Sequence, residues 1–123
     1  MHALHHVHGL LVPGGTLVDV HPVTEQQVEA AGRTIGVIEE PDWITVVLPN
    51  AEARLRDAVR DGLYALEVES EFDFLQHFDD AEELIDAKSD LLDSQPELVR
   101  RIRAARPPLR TREHYVGRRL RVT

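Results

Sequence analysis

Asp19 and His21 close a short β-rich segment, TLVDVHP (16–22), and they are the first residues in the chain whose types and placement could do chemistry. If that segment is a parallel strand, both residues lie at its carboxyl end, the edge at which open α/β sheets bind ligands. A histidine there could act on a substrate as a base, because imidazoles exchange protons near neutral pH. The plainer reading is a strand-end histidine held by the His21-Pro22 turn. His77 carries the same two readings, since its odd position puts it on the polar face of its segment. These three residues are the substrate-facing candidates; none is assigned a catalytic role.

Other chemistries find less support. His2, His5, His6 and His8 cluster at the start, and on a helix the first three would share a face with zinc- or nickel-like spacing. No nearby carboxylate or cysteine completes a site, so a solvated helix surface is the simpler reading and no metal is assigned. Glu67, Glu69, Glu71 and Asp73 alternate along one segment, which spaces them roughly 7 Å apart, too far to share one ion without further ligands. The chain has no cysteine, and G-x-S-x-G, P-loop and H-E-x-x-H patterns are absent. Covalent catalysis therefore has little to build on.

The elements that must position these residues follow from the hydrophobic pattern. Leu4, Val7 and Leu11 recur at helical spacing, and Pro13-Gly14-Gly15 then reverses the chain into 16–22. The near-continuous apolar character of TLVDV suggests a strand buried on both faces, as in a parallel sheet. Residues 24–31 are weakly amphipathic and of uncertain type. RTIGVIE (33–39) and WITVVL (43–48) read as strands, together a small hairpin. Asn50 reads as the N-cap of a helix running to about Leu66, with Leu55, Ala58, Val59, Leu63 and Leu66 as its buried stripe.

From Leu66 to Phe78 apolar residues dominate the even positions and acids the first odd ones, the mark of a half-buried strand. Asp79 with Glu82, and Ser94 with Glu97, make capping boxes for two helices before Pro107-Pro108. A last strand, 113–122, carries Val116, Leu120 and Val122 on one face, interrupted by Arg118. Residues 100–123 hold nine basic residues against one acid, Glu113, while the other 99 hold five basic residues against 21 acids. Antiparallel pairing of the last strand with 66–78 sets Arg119 and Arg121 against the acidic face. Such cross-strand pairs contribute roughly 0.2–1 kcal/mol each. That use of the basic residues is favoured over nucleic-acid binding.

The order helix, Pro-Gly-Gly, strand, helix, long strand, inserted helices and final antiparallel strand resembles the C-terminal half of a class I S-adenosylmethionine-dependent methyltransferase. LLVPGG (10–15) is similar to the "VLRPGG"-like helix end before that family's fifth strand, and TLVDVHP to the strand itself. ALEVESEFDF (65–74) and YVGRRLRVT (115–123) look like its closing antiparallel pair. FDFLQHFDDAEELID (72–86) looks like members with a helical cap before the last strand. The resemblance implies a truncated α/β or α+β fold: a small mixed sheet with an antiparallel closing pair, flanked by three to four helices. It spans residues 1–123 as a single domain, with the cap at about 79–107.

One departure governs function. The family binds its cofactor at a glycine-rich turn after the first strand, and no G-x-G occurs among Gly9, Gly14, Gly15, Gly32, Gly36, Gly62 and Gly117. The expectation is a region lacking the cofactor site and not catalytic alone, whether a fragment, a split-enzyme half or a degenerate homologue. S-adenosylmethionine would be its cofactor only if a missing N-terminal half completed it. A free-standing α+β binding or assembly module is the alternative. Either way a homodimer or other partner is expected to cover the sheet edge near Leu17–Val20. With neither a membrane span nor a secretory signal in the sequence, the expected location is the cytoplasm.

Overall fold

A computed structural model describes residues 3–123. The chain is α+β: five strands in an open antiparallel sheet, with α-helices before and between them. It divides into two compact units. The first holds the residues up to His21 together with Pro41–Phe72 and Tyr115–Thr123, and the second holds Pro22–Glu40 and Asp73–His114.

In the first unit, α1 (Ala3–Leu10) leads through the Pro-Gly-Gly reversal into β1 (Thr16–Pro22). Gly14 N–H donates to the Val122 carbonyl at 2.8 Å, and Val122 N–H returns a bond to the Gly15 carbonyl at 2.9 Å. β1 therefore runs antiparallel to β5 (Leu109–Val122), whereas the sequence suggested a parallel neighbour. It is also not buried on both faces. Thr16, Val18 and Val20 are exposed, while Leu17, Asp19 and His21 are half-buried. Cover comes from one side only: Leu17 packs on the core formed by Leu55, Ala58, Tyr64, Leu120 and Val122.

The segment read as strand 43–48 is helical instead. Trp43–Val47 forms a π-helical turn that runs directly into α2 (Leu48–Arg60), so Asn50 lies inside the helix and does not cap it. Leu48 N–H reaches back five residues to the Trp43 carbonyl. Pro49 has no N–H to offer the carbonyl four residues before it, and a widened turn precedes it. Local pattern in WITVV favoured strand; the tertiary setting overrode it.

α2 stops well short of Leu66. Gly62, at φ 80°, takes the left-handed position after the C-cap Asp61. Its N–H donates to the Val59 carbonyl at 3.1 Å, and Leu63 N–H donates to that of Ala58 at 3.0 Å, a Schellman closure. Leu66 accordingly sits in β4 (Tyr64–Phe78), a strand pairing with β5. The apolar face expected along β4 is buried only at its ends, at Tyr64 and Phe78. Leu66, Val68, Phe72 and Phe74 are all exposed by more than two-fifths. Phe72 instead stacks on Tyr115, ring centroids 5.6 Å apart.

The second unit contains a hairpin that sequence reading missed. β2 (Gln26–Ala30) pairs antiparallel with β3 (Arg33–Ile38) and on its other side with β5. Ala31 and Gly32 both take positive φ, 49° and 79°, the geometry of a two-residue hairpin turn. The core here is Val28, Ile38, Phe78, Leu84, Leu92, Leu98, Ile102 and Leu109 with their neighbours.

The helical segment before β5 is divided into α3 (Ala81–Ala87), α4 (Ser89–Leu92) and α5 (Pro96–Ala104). The first of these helices is capped one residue later than expected, by Asp80. Asp80 accepts from Glu83 N–H at 2.8 Å, and the Glu83 carboxylate accepts from Asp79 N–H at 3.2 Å. The second does not form: Pro96 starts α5, and the Ser94 hydroxyl donates to the Leu91 carbonyl. Gln95 serves β3 instead, accepting from Glu39 N–H at 2.7 Å and donating to the Val37 carbonyl at 3.0 Å.

These caps give a direct check by urea unfolding. Asp80→Ala is expected to cost about 1 kcal/mol. Ser94→Ala, which removes no cap, is expected to stay within about 0.5 kcal/mol of the parent.

Candidate functional site

Arg118 is the residue around which the candidate site is built. Alternation along β5 places it on the face of Val116, Leu120 and Val122, all buried, and its side chain is only 10% exposed. A guanidinium in that position needs carboxylates. Glu52 of α2 supplies the main one, accepting from both terminal nitrogens at 3.0 and 2.9 Å in a two-pronged pair. Asp19 of β1 lies 3.8 Å away and Glu69 of β4 lies 3.6 Å from Nε.

His21 joins the same cluster. Its Nδ1 lies 2.9 Å from Asp19 Oδ2 and its Nε2 lies 2.7 Å from Glu52 Oε1. Ionised carboxylates only accept, so a ring carrying both protons serves both partners, while a neutral ring serves one. Burial pushes the Glu52 carboxyl up, but the hydrogen bonds from Arg118 and then His21 outweigh it, leaving its pKa below the ordinary value. The result is a cluster in which β1, α2, β4 and β5 each place a charge.

Of the three candidates from the sequence, Asp19 and His21 are brought together here. His77 is not: it lies in the second unit, exposed, beside a hollow of about 230 Å³ lined by Glu29, Gly32, Pro108 and Arg110. Glu52 was missed. The available signal was Arg118 itself, because a charge interrupting an apolar strand face demands an acid from the element packed against it. Glu52, one turn before Leu55 on α2, occupies that place.

The arrangement leaves little for base catalysis. Both nitrogens of His21 lie within 3 Å of carboxylate oxygens, and Arg118 is turned onto Glu52. What the cluster does chemically is surround one buried guanidinium with carboxylates from three elements. His8, from the N-terminal cluster, packs edge-on to Tyr64 at 5.4 Å and approaches the Thr123 carbonyl at 3.4 Å. His2 lies outside the described residues, as do the side chains of His5 and His6. Among the described residues no group of three or more His, Asp or Glu is placed to hold a metal.

The second unit carries its own charge ladder. Arg110 and Arg112 of β5 both donate to Glu29 of β2, and Arg112 also donates to Asp73 at 2.7 Å. Asp73 meets His114 Nδ1 at 2.8 Å as well. The Arg112 bond holds Glu29 below the ordinary carboxylate range despite its burial, with Arg110 adding to the effect. Of the pairing expected for Arg119 and Arg121 with the acidic face of β4, Arg119 lies 3.9 Å from Glu67, whereas Asp73 is taken by Arg112. Arg121 is exposed and makes no ion pair among the described residues.

No family model matches the chain, and neither a curated protein nor a solved structure does so.

Glu52→Gln is expected to destabilise the fold by about 2 kcal/mol at pH 7. That is less than the 3–5 kcal/mol of a fully buried broken pair, because the Glu52 side chain remains 24% exposed. Since its folded-state pKa is the lower one, its contribution is complete above the unfolded glutamate value, about 4.3. It is lost as pH falls through the folded value. Urea midpoints measured from pH 7 to pH 3 should converge for the two proteins toward the acid end. A constant gap across that range would rule out the carboxylate as its source.

Proposed function

We propose that the chain is a methyltransferase-related C-terminal region that transfers no methyl group alone and works as an assembly partner. The observation that carries the descent is the order of elements. α1 ends in the Pro13-Gly14-Gly15 reversal and β1 follows; after the β2–β3 hairpin come α2, β4, the helical segment 81–104 and β5, which pairs with β4. Apart from that hairpin, this is the order in which the resembled family closes its sheet, including the helical insertion before the last strand. With no G-x-G in the sequence, S-adenosylmethionine enters only as the cofactor of a completing partner. No described helix is long and apolar enough to cross a membrane; in this reading the chain works in the cytoplasm.

The assembly role is supported by β1. It is the terminal strand of its order, and Val18 and Val20 are 65% and 51% exposed. A terminal strand with apolar side chains is a template for pairing, and a second copy adding its own Leu17–Val20 would cover it. The alternative, a free-standing α+β binding module, is favoured by the closed bonding of Asp19, His21, Glu52 and Arg118, which gives these side chains a structural use.

Two measurements test the proposal. Calorimetric titration with S-adenosylhomocysteine is expected to show no saturable binding, and a micromolar site would overturn the non-catalytic reading. Sedimentation equilibrium is expected to give about twice the 13.9 kDa chain mass and a monomer for Val18→Lys. A monomeric parent at the highest attainable concentration would overturn the assembly role.

A further inference from the structure

In the first unit a groove of about 410 Å³ runs between α2 and the strands β4 and β5. Its floor is apolar: Leu55 and Val59 from the helix, Leu66 from β4, Leu120 from β5. The volume falls in the range of small-molecule sites, which are mostly apolar with a few placed polar groups. Leu55 and Leu120 are buried beneath it, but Leu66 is 45% exposed and Val59 half-buried, so this part of the floor is open to a ligand.

The charges around the groove are unequal in their engagements. Arg118 is held by Glu52, and Arg60 lies 3.1 Å from Asp57 and 3.6 Å from Asp61. Glu52 is occupied by Arg118 and His21, and Glu69 faces Arg118 Nε. Arg56, one helical turn after Glu52, is exposed and makes no ion pair among the described residues. The uncommitted charge at this groove is therefore a cation.

We propose that the groove binds a small amphiphilic carboxylate, with its hydrocarbon body on Val59 and Leu66 and its carboxylate on Arg56. A cationic amphiphile would meet carboxylates already paired and an unpaired guanidinium of like charge. A neutral one would leave Arg56 unused. Charge-assisted pairing to a guanidinium fixes the head, and apolar burial holds the tail. This inference does not depend on the methyltransferase-related reading.

The test uses the full chain and two probes, decanoate and decylamine, titrated calorimetrically below their micelle concentrations. Decanoate is expected to saturate at one per chain and decylamine not to bind. Arg56→Glu is expected to weaken decanoate by about ten-fold or more, with the urea midpoint unchanged. Leu66→Ser, on the exposed part of the floor, should weaken it as well. Failure of decanoate to saturate, equal binding of decylamine, or unchanged affinity in either variant would overturn the proposal.

Discussion

A guanidinium on the apolar face of a strand has to be met by carboxylates, and much of the first unit is arranged to meet Arg118. Its neighbours along that face, Val116, Leu120 and Val122, are fully or almost fully buried. The two-pronged pair with Glu52 ties α2 to β5, and His21 links that pair to Asp19 on β1. A charge cluster of this kind adds less stability than apolar residues of the same volume would. What it adds is selectivity: another register of β1, or a rotated α2, would strand a buried charge. The geometry of this unit is thus set by electrostatic matching as much as by its small apolar core.

The second unit solves a related problem with different parts. Glu29 is buried on β2 and receives two guanidinium groups from β5, one of which also reaches Asp73 of β4. Because Glu29 stands opposite Arg110 in the β2–β5 register, the ladder and the backbone pairing specify the same alignment. Sheet register is therefore marked by charge in both units.

The parts of this architecture legible in the sequence are those with local cues. The Pro-Gly-Gly reversal, the long strand read at 66–78, the last strand and the α+β class follow from turn chemistry and period-two patterning. The misreadings have physical causes. WITVV has strand-like residues, yet Pro49 and the helix beyond it make the segment a π turn. The 26–38 hairpin turns on Ala31-Gly32, which lacks the Asn-Gly or Asp-Gly signature. β1 read as doubly buried because valines occupy its exposed face. For the candidate site, Asp19, His21 and the interruption at Arg118 were visible in the sequence. The partnership with Glu52 was not, because it joins residues separated by 66 positions.

Gln95 has a consequence at the margin of β3. That strand ends its own order, and a bare margin would offer alternating donors and acceptors to any passing extended chain. The side-chain amide of Gln95 takes up the Val37 carbonyl and the Glu39 N–H, as one residue of a further strand would. A single primary amide thus works as a stopper: it ends the lattice of peptide bonds on that side without adding a strand, and blunts recruitment of another chain there.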